Sequence, residues 1–562
     1  MDKIKILALG GLDEQGKDLY CIEINDNIFV IGAGFKYPTK STPGIDFIIG
    51  DFSYLKDNKD RIKAYILPKA KKNSFGAIPY IYKVAPAPIY CGSVTAKFLE
   101  EFSKLYQQEN KYDFHLFNLP SIELIGGYQF DFFSTCSSMP STCGFSIRTQ
   151  LGNIVYSGDF IVEYSNDKFF KLDLNALAKI AERNTLILLA ESVNSQMSGY
   201  CAPRHKLTPY IEQAFKEAEG RVFIALNSNN LYHISEVFNA CKVHKKKVFL
   251  YDKESQAVYD MNAYGNIDSS GFKDIVDIDN VLRVKESELV IVMIDENERI
   301  YEKVSILANN ENENRQIRLT ARDTFLFAAP ASDSNEVIAI SALDEVYRTN
   351  CKVKNVSRKL LPKMHAFEED LKMLLSLLKP KYYLPIEGYY VDLLANAKLA
   401  FDMDIGLSHF NIFLLDNGQT INIDENGAEI NFNTNNKIMV GDMMIDGIGV
   451  GDVVTEIISD RTRLGKDGVV VLGCAVSKSK REIVAGPDIQ MRGFLFLKDK
   501  DSDVMLKELT KMFVERINKW SFETKDFNTK VLELQINQEI TKFLLKSNNR
   551  NPLVKPNVII VN

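Results

Sequence analysis

From about Thr208 onward the sequence alternates short, wholly apolar runs with amphipathic stretches, and this alternation constrains the fold more than any other feature. The reading is helix Pro209–Ala218, strand Arg221–Leu226, helix His233–Val243, strand Lys247–Leu250 and helix Ser255–Met261, with later strands Leu289–Met293 and Thr324–Phe327. An apolar run without polar alternation must be covered on both faces, and short links between successive strands and helices are the mark of a parallel α/β unit. The same logic continues through amphipathic Ala366–Leu378, apolar Tyr382–Pro385 and helix Val391–Phe401.

The first two hundred residues read differently. Ile4–Leu9, Tyr20–Ile24, Ile28–Ile31 and Ala64–Leu67 are short strand-like runs ended by Gly, Asp, Asn or Pro. Val94–Gln107 predicts a helix with Phe98, Phe102 and Leu105 on one face. Strands follow at Gly127–Phe133, Gly144–Thr149 and Asn153–Ser157, with Gly152–Asn153 a hairpin-turn signal. A helix over Phe169–Ala181 and a buried strand over Leu186–Ala190 complete a mixed sheet-and-helix unit. Near the other end, Asn-rich Asp424–Lys437 reads as a linker. Beyond it come Val/Ile-rich strands near 453–457 and 469–475. Helix Asp503–Trp520 carries a stripe of Leu506, Leu509, Phe513, Ile517 and Trp520 that faces either the core, the favoured reading, or a partner. A chain of 562 residues accommodates three or four such units.

Composition serves mainly to exclude. Sixty-eight basic against 74 acidic residues leave a net charge of −6, so bulk charge does not draw the chain to nucleic acid. Only six histidines are present, at 115, 205, 233, 244, 365 and 409, too scattered for an imidazole-rich metal site. The eight cysteines form no CxxC pair and are expected as reduced core thiols, Cys136 and Cys143 included. The opening residues read as a first strand and no apolar run is long enough to span a bilayer, so a cytoplasmic protein without membrane contact is expected.

Several segments resemble the bacterial RNase J family: ALGGLDEQGK at 8–17, GAGFKYP at 32–38, GIDFIIGDFSYL at 44–55, GNIVYSGDF at 152–160, LLAESVNS at 188–195, KPKYYLPIEGYY at 379–390 and AGPDIQMRGF at 485–494. Their order and spacing run along nearly the whole chain. The resemblance implies an α/β protein: a metallo-β-lactamase αββα sandwich with an inserted β-CASP α/β domain and a small C-terminal α/β domain. The implied boundaries are 1–206 and 351–424 for the split sandwich, 207–350 for the insertion, 425–440 for the linker and 441–562 for the tail. It also implies RNA cleavage at a two-zinc site.

The family's chemistry resides in a His-x-His-x-Asp-His loop after a strand. By resemblance that loop is Pro68–Phe75 here, between Ala64–Leu67 and GAIPY at 76–80. Lys69 and Lys71 stand at the first two histidine positions, Asn73 and Ser74 at the Asp and third-His positions. An ammonium has three donors and no lone pair, so it cannot stand in for a neutral imidazole. The later histidine position is Ser137, the final one is Glu387 in PIEGYY, and the motif aspartate is Glu191; the bridging Asp159 is retained, and His365 fits a catalytic β-CASP histidine behind an altered lead-in, Lys363-Met364. No zinc or other cofactor is therefore expected. Asp159, Glu191 and His365 stand as remnants, and Lys69 and Lys71 are expected to neutralise carboxylates that zinc would otherwise hold.

RNA contacts are expected to be weak. Asn230 is kept in the Ser-Asn-x-His-Arg-like run, while His233 replaces its arginine and stands at a helix start, where it meets an anion or serves as a solvent-facing or capping residue. Lys363 and His365 complete the candidate RNA residues. Lys242–Lys247 and Lys478–Arg481 read as basic runs on solvated faces, with nucleic-acid contact the alternative, and the acids at 295, 296 and 298 replace a phosphate-cradling segment. Architecture kept while chemistry is lost implies a non-catalytic subunit, paired with a catalytic RNase J homologue or with itself as dimer or tetramer. The rival readings are an active ribonuclease with an altered site on Asp159, Glu191, His365 and Glu387, and an RNA-binding scaffold.

Overall fold

Strand Thr185–Glu191 is buried at every residue, and it shows how the main unit is layered. Ile187 and Leu189 face one apolar cluster, Leu188 and Ala190 another. The strand therefore lies in a sheet covered on both sides, as a run without polar alternation requires. The computed structural model describes all residues except 40–41, 165–166, 265–271, 432–437, 448, 451–454, 495–499 and 525–527.

Two sheets form the sandwich. One runs Gly427–Ile430, Thr420–Asp424, Ile4–Gly10, Leu19–Ile24, Asn27–Ile31, Ile62–Leu67, Ile89–Cys91, Phe114–Leu116. It is antiparallel up to Asn27–Ile31 and parallel beyond. The other runs Tyr382–Ile386, Thr185–Glu191, Gly152–Tyr156, Cys143–Thr149, Tyr128–Ser134, Ser121–Ile125, its first three strands parallel. Ile22, Phe29, Ile31 and Ile66 of the first sheet meet Phe130, Phe145, Tyr156 and Leu384 of the second in one core. Helices Leu174–Ala181, Glu368–Leu378 and Tyr390–Asp402 cover the far face of the second sheet through Leu177, Leu374 and Ala400.

The alternating region forms a separate sheet in the order Lys247–Leu250, Leu289–Asp295, Val222–Asn227, Thr324–Ala328, Lys352–Asn355, parallel throughout. Val222, Ile224 and Leu226 pack to one side with helices Thr208–Glu217 and Leu231–Val243; Phe223 and Ala225 pack to the other with Asn297–Ala308 and Glu336–Arg348. The architecture is thus the mixed α/β sandwich with an α/β insertion that the motifs implied.

By contact the chain divides into two compact units, Met1–Lys36 with Ile49–Met443, and Tyr37–Ile48 with Met444–Asn562. In the second, sheet Ile483–Arg492, Val469–Ser477, Leu553–Val561 is backed by helices Lys500–Glu523 and Thr529–Asn548. Leu509, Phe513 and Ile517 are fully buried there, with Trp520 partly so, and the stripe faces the core. Tyr37–Ile48 groups with this unit because the Arg461 guanidinium bonds the Gly44 carbonyl at 2.9 Å and Gly447 N–H donates to Asp46.

Local differences have local causes. The hairpin turns at Gln150–Leu151, since Thr149 pairs with Gly152. The helix expected from Phe169 starts at Leu174, where Asp173 caps the Ala176 N–H; upstream, the Phe169 and Phe170 N–H groups are held in a turn by Asp167. In helix Ser93–Leu105, Leu105 is 69% exposed, and Leu99 is buried in its place. The polar stretch after Asp424 includes strand Gly427–Ile430, and residues 432–437 lie outside the described residues. Of the strand expected near 453–457, residues 453–454 lie outside the described residues, and 455–457 open helix Thr455–Asp467 instead, the β-branched run being short. Among the described residues no helix is long and apolar enough to cross a membrane.

Candidate functional site

Three parallel strands of the second sheet end side by side, and each is followed by a carboxylate or ends on one. Asp159 follows Gly152–Tyr156, Glu191 ends Thr185–Glu191, and Glu387 follows Tyr382–Ile386. The SGDF turn depends on Gly158, whose φ is +66° and whose Cβ would lie 2.5 Å from the Cys143 carbonyl. Glu387 itself sits in the left-handed region at φ 57°, a conformation that costs energy for a residue with a Cβ. From the first sheet, Asp18 enters just before Leu19–Ile24, and the loop after Ile62–Leu67 brings in Lys69 and Lys71.

Lys69 is fully buried, and its Nζ lies 2.5 Å from Asp159 Oδ1, 2.8 Å from Glu387 Oε2 and 3.1 Å from Asp18 Oδ2. Lys71 Nζ takes the other Asp159 oxygen at 2.8 Å. The Tyr156 hydroxyl donates to Glu387 Oε1 at 3.0 Å. The loop is fixed by its backbone: Asp18 N–H donates to the Asn73 carbonyl at 3.0 Å, and Ala33 N–H to the Ser74 carbonyl at 2.6 Å. Gly34 allows this approach, because a Cβ there would fall 1.4 Å from the Asn73 carbonyl oxygen.

Electrostatics follow from this geometry. Burial pushes the Asp159 carboxyl up, but Lys69 and Lys71 outweigh it and hold it well below the usual carboxylate range. Burial disfavours the Lys69 ammonium, yet Asp159, Asp18 and Glu387 raise it well above its ordinary value. Burial raises Asp18, and raises Glu387 strongly with repulsion from Asp18 adding to it. The centre is therefore an ammonium-carboxylate cluster, with Lys69 and Asp159 charged.

Beside it, Glu191 Oε1 accepts the Phe160 and Ala366 N–H groups at 2.7 and 3.1 Å, and Oε2 meets His365 Nδ1 in a close hydrogen bond. Burial raises Glu191 well above its usual value and pulls the His365 imidazole down to about 3. Ligand atoms of Asp159, Glu191 and His365 all lie within 4.8 Å of one another.

The other sequence-derived residues are placed as follows. Ser137 is buried, its hydroxyl 3.1 Å from that of Thr142. Asn73 Oδ1 and Ser74 Oγ are buried without a hydrogen-bond partner. Asn230 caps helix Leu231–Val243 by accepting the His233 N–H. His233 turns inward instead of meeting solvent or an anion: its Nε2 donates to the His205 carbonyl at 2.8 Å. Lys363 is exposed, and its carbonyl accepts from Asn194. The acids at 295 and 296 are nearly buried and ion-paired, Asp295 with Arg299 and Lys303, Glu296 with Arg299 and Lys72. Sequence reasoning missed Asp18, Tyr156 and the Lys72–Glu296 pair. Asp18 directly follows the quoted run 8–17, and Tyr156 lies inside the quoted run 152–160.

A pair of zinc ions does not fit this donor set. Two positions of the loop are ammonium groups without a lone pair, they occupy both oxygens of Asp159, and Glu191 is engaged by two backbone N–H groups and His365.

Comparison with known proteins supports the architecture. The Ribonuclease J C-terminal domain family matches residues 456–561. Ribonuclease J 2 of Staphylococcus aureus (strain NCTC 8325 / PS 47) is 28% identical over 556 residues, covering 98% of this chain and 97% of that protein. Ribonuclease J 2 of Staphylococcus epidermidis is 29% identical over 555 residues, with the same coverage. A crystal structure of a protein of unknown function from Enterococcus faecalis V583 matches in fold with TM-score 0.51 at 12% identity, covering 75% of this chain and all of that one. With similarity along nearly the whole chain, motifs in order and the α/β architecture in place, the chain is similar throughout to Ribonuclease J proteins, and its segment 456–561 matches their C-terminal domain.

Proposed function

We propose that the chain is an RNase J-type subunit of RNA processing and decay that has lost its own hydrolytic centre and works in assembly with a catalytic homologue. The observation that carries this reading is the Lys69 ammonium, buried among Asp18, Asp159 and Glu387 where the family's loop would present imidazoles. Hydrolysis of a phosphodiester needs an activated water and stabilisation of developing charge. Here the carboxylates that would hold a metal for that purpose are neutralised by the protein itself. The proposed domain reading keeps the boundaries 1–206, 207–350, 351–424, 425–440 and 441–562, and the proposed setting is the cytoplasm, with RNA a weak ligand.

The second reading, an active ribonuclease with an altered site, draws on the proximity of Asp159, Glu191 and His365. Incubation of the purified protein with 5′-monophosphorylated RNA separates the two. No metal-dependent turnover is expected; turnover abolished by Asp159→Ala would overturn the proposal. Co-purification from the native cell is expected to recover an RNase J homologue with an intact His-x-His-x-Asp-His loop. Absence of such a partner favours the scaffold reading instead.

A further inference from the structure

We infer that Lys69 and Lys71 are built-in counter-cations: they tie the strand ends of both sheets together in place of bound metal, so the stability of the sandwich is independent of divalent cations and dependent on these two side chains. The inference concerns what holds the two sheets together at this cluster and stands apart from what the protein does to RNA.

Three observations carry it. First, the carboxylates that Lys69 gathers come from chain segments remote in sequence. Asp18 stands at an end of the first sheet, Asp159 and Glu387 at strand ends of the second. One ammonium thus joins the two layers of the sandwich at the rim where they meet. Second, the partners are nearly inaccessible: Lys69 and Asp159 are fully buried, and Glu387 and Asp18 almost so. Carboxylates withdrawn from water without a cation are strongly destabilising, and removing one partner of a buried pair leaves that penalty exposed. Third, the loop that delivers the ammonium groups is held by the Asp18-to-Asn73 and Ala33-to-Ser74 backbone hydrogen bonds. The cations are therefore preorganised, not recruited from mobile surface side chains. Lys71 differs in degree, with 14% of its side chain exposed and a single acidic partner, so it closes the outer side of the cluster.

The arrangement also accounts for Glu387 in the left-handed region. Such a conformation persists only when surrounding contacts determine it. Here Lys69 and Tyr156 hold one carboxylate oxygen each.

The test uses the full chain. Purified protein is dialysed against EDTA and 1,10-phenanthroline, its metal content is measured by elemental analysis, and thermal denaturation is followed with and without added zinc. The expected result is no stoichiometric metal before dialysis and the same Tm in every condition. Bound zinc whose removal lowers the Tm, with recovery on adding zinc back, would overturn the inference. The second arm compares Lys69→Met and Lys71→Met, alone and combined with Asp159→Asn. Each lysine variant is expected to lower the Tm or reduce soluble yield, and Asp159→Asn is expected to restore part of the loss by removing the stranded charge. Where Lys69→Met does not accumulate, the rim pair Lys71→Met and Lys71→Met/Asp159→Asn decides. A Lys71→Met protein as stable as wild type, or a double variant showing plain additivity, would overturn the inference. Because none of these measurements reads RNA cleavage, a nuclease-active wild type would remove the proposed function and leave this inference standing.

Discussion

At the scale of single residues, the cluster depends on groups whose roles were unevenly legible in sequence. Lys69, Lys71 and Asp159 could be placed because flanking motifs fix the loop and the SGDF turn. Asp18 and Tyr156 could not be placed as cluster members, since each carries an ordinary strand-edge signature and meets Lys69 or Glu387 only through the tertiary fold. Tyr156 offers a clean measurement. Its ring is packed in the sandwich core, stacked on Phe145, while its hydroxyl donates to Glu387. Tyr156→Phe keeps the ring and removes one hydrogen bond to a buried acceptor, a change expected to cost about 1–3 kcal/mol. Urea denaturation checks this, and a variant as stable as wild type would show that Glu387 does not need the hydroxyl.

At the scale of elements, continuous apolar runs identified the parallel strands well, because burial on both faces leaves a composition that survives without context. The described part of the strand expected near 453–457, residues 455–457, is helical for the complementary reason. A few β-branched residues are a weak signal, and helix Thr455–Asp467 continues into SDRTRLGKD, whose polar residues suit an exposed helix. Helix Leu231–Val243 was found, yet the role of its first turn was reversed: Asn230 is the cap and His233 the buried group. Asn230→Ala is expected to destabilise the protein by about 1 kcal/mol, read as a fall in urea midpoint.

His233 on the same helix gives a pH prediction. Burial lowers its imidazole to about 4, opposed only by its hydrogen bond to the His205 carbonyl. Nearby His205 is lowered to about 3 by burial, with repulsion from His233 and Lys206 adding to it; its ring faces Tyr232 and Glu163. The folded pKa lies below the unfolded value, so protons favour the unfolded chain between the two. Stability is complete above about pH 6.5 and declines as pH falls toward 4, by up to about 3 kcal/mol for His233 at about 1.4 kcal/mol per unit. His233→Gln, which can still donate to the His205 carbonyl, is expected to flatten the slope of stability against pH in that window. An unchanged slope would show that other groups carry the acid sensitivity.

At the scale of the whole molecule, the net charge of −6 and the internal pairing of cations point the same way. Lys69 and Lys71 are spent on Asp159 and its neighbours, Lys72 and Arg299 on Glu296, Lys303 on Asp295 and Asp252. In the basic run 242–247, His244 bonds Glu212 and Lys246 bonds the Ser287 carbonyl. The pairing of Asp295 and Glu296 was not visible in sequence, where those acids read as plain repulsion; in the fold they pair with Lys72, Arg299 and Lys303. Single-stranded RNA affinity rises with the number of phosphates neutralised, and log K falls with log salt by about 0.7 per phosphate. A chain in which these cations are already paired is expected to bind single-stranded RNA weakly, with a log–log slope of about −1 to −2. Fluorescence anisotropy across a salt series measures both quantities. Glu296→Gln, which releases Lys72 and Arg299 from one acidic partner, is expected to tighten binding and steepen the slope. Tight wild-type binding with a steep slope at physiological salt would show that cationic surface outside these pairs governs RNA contact.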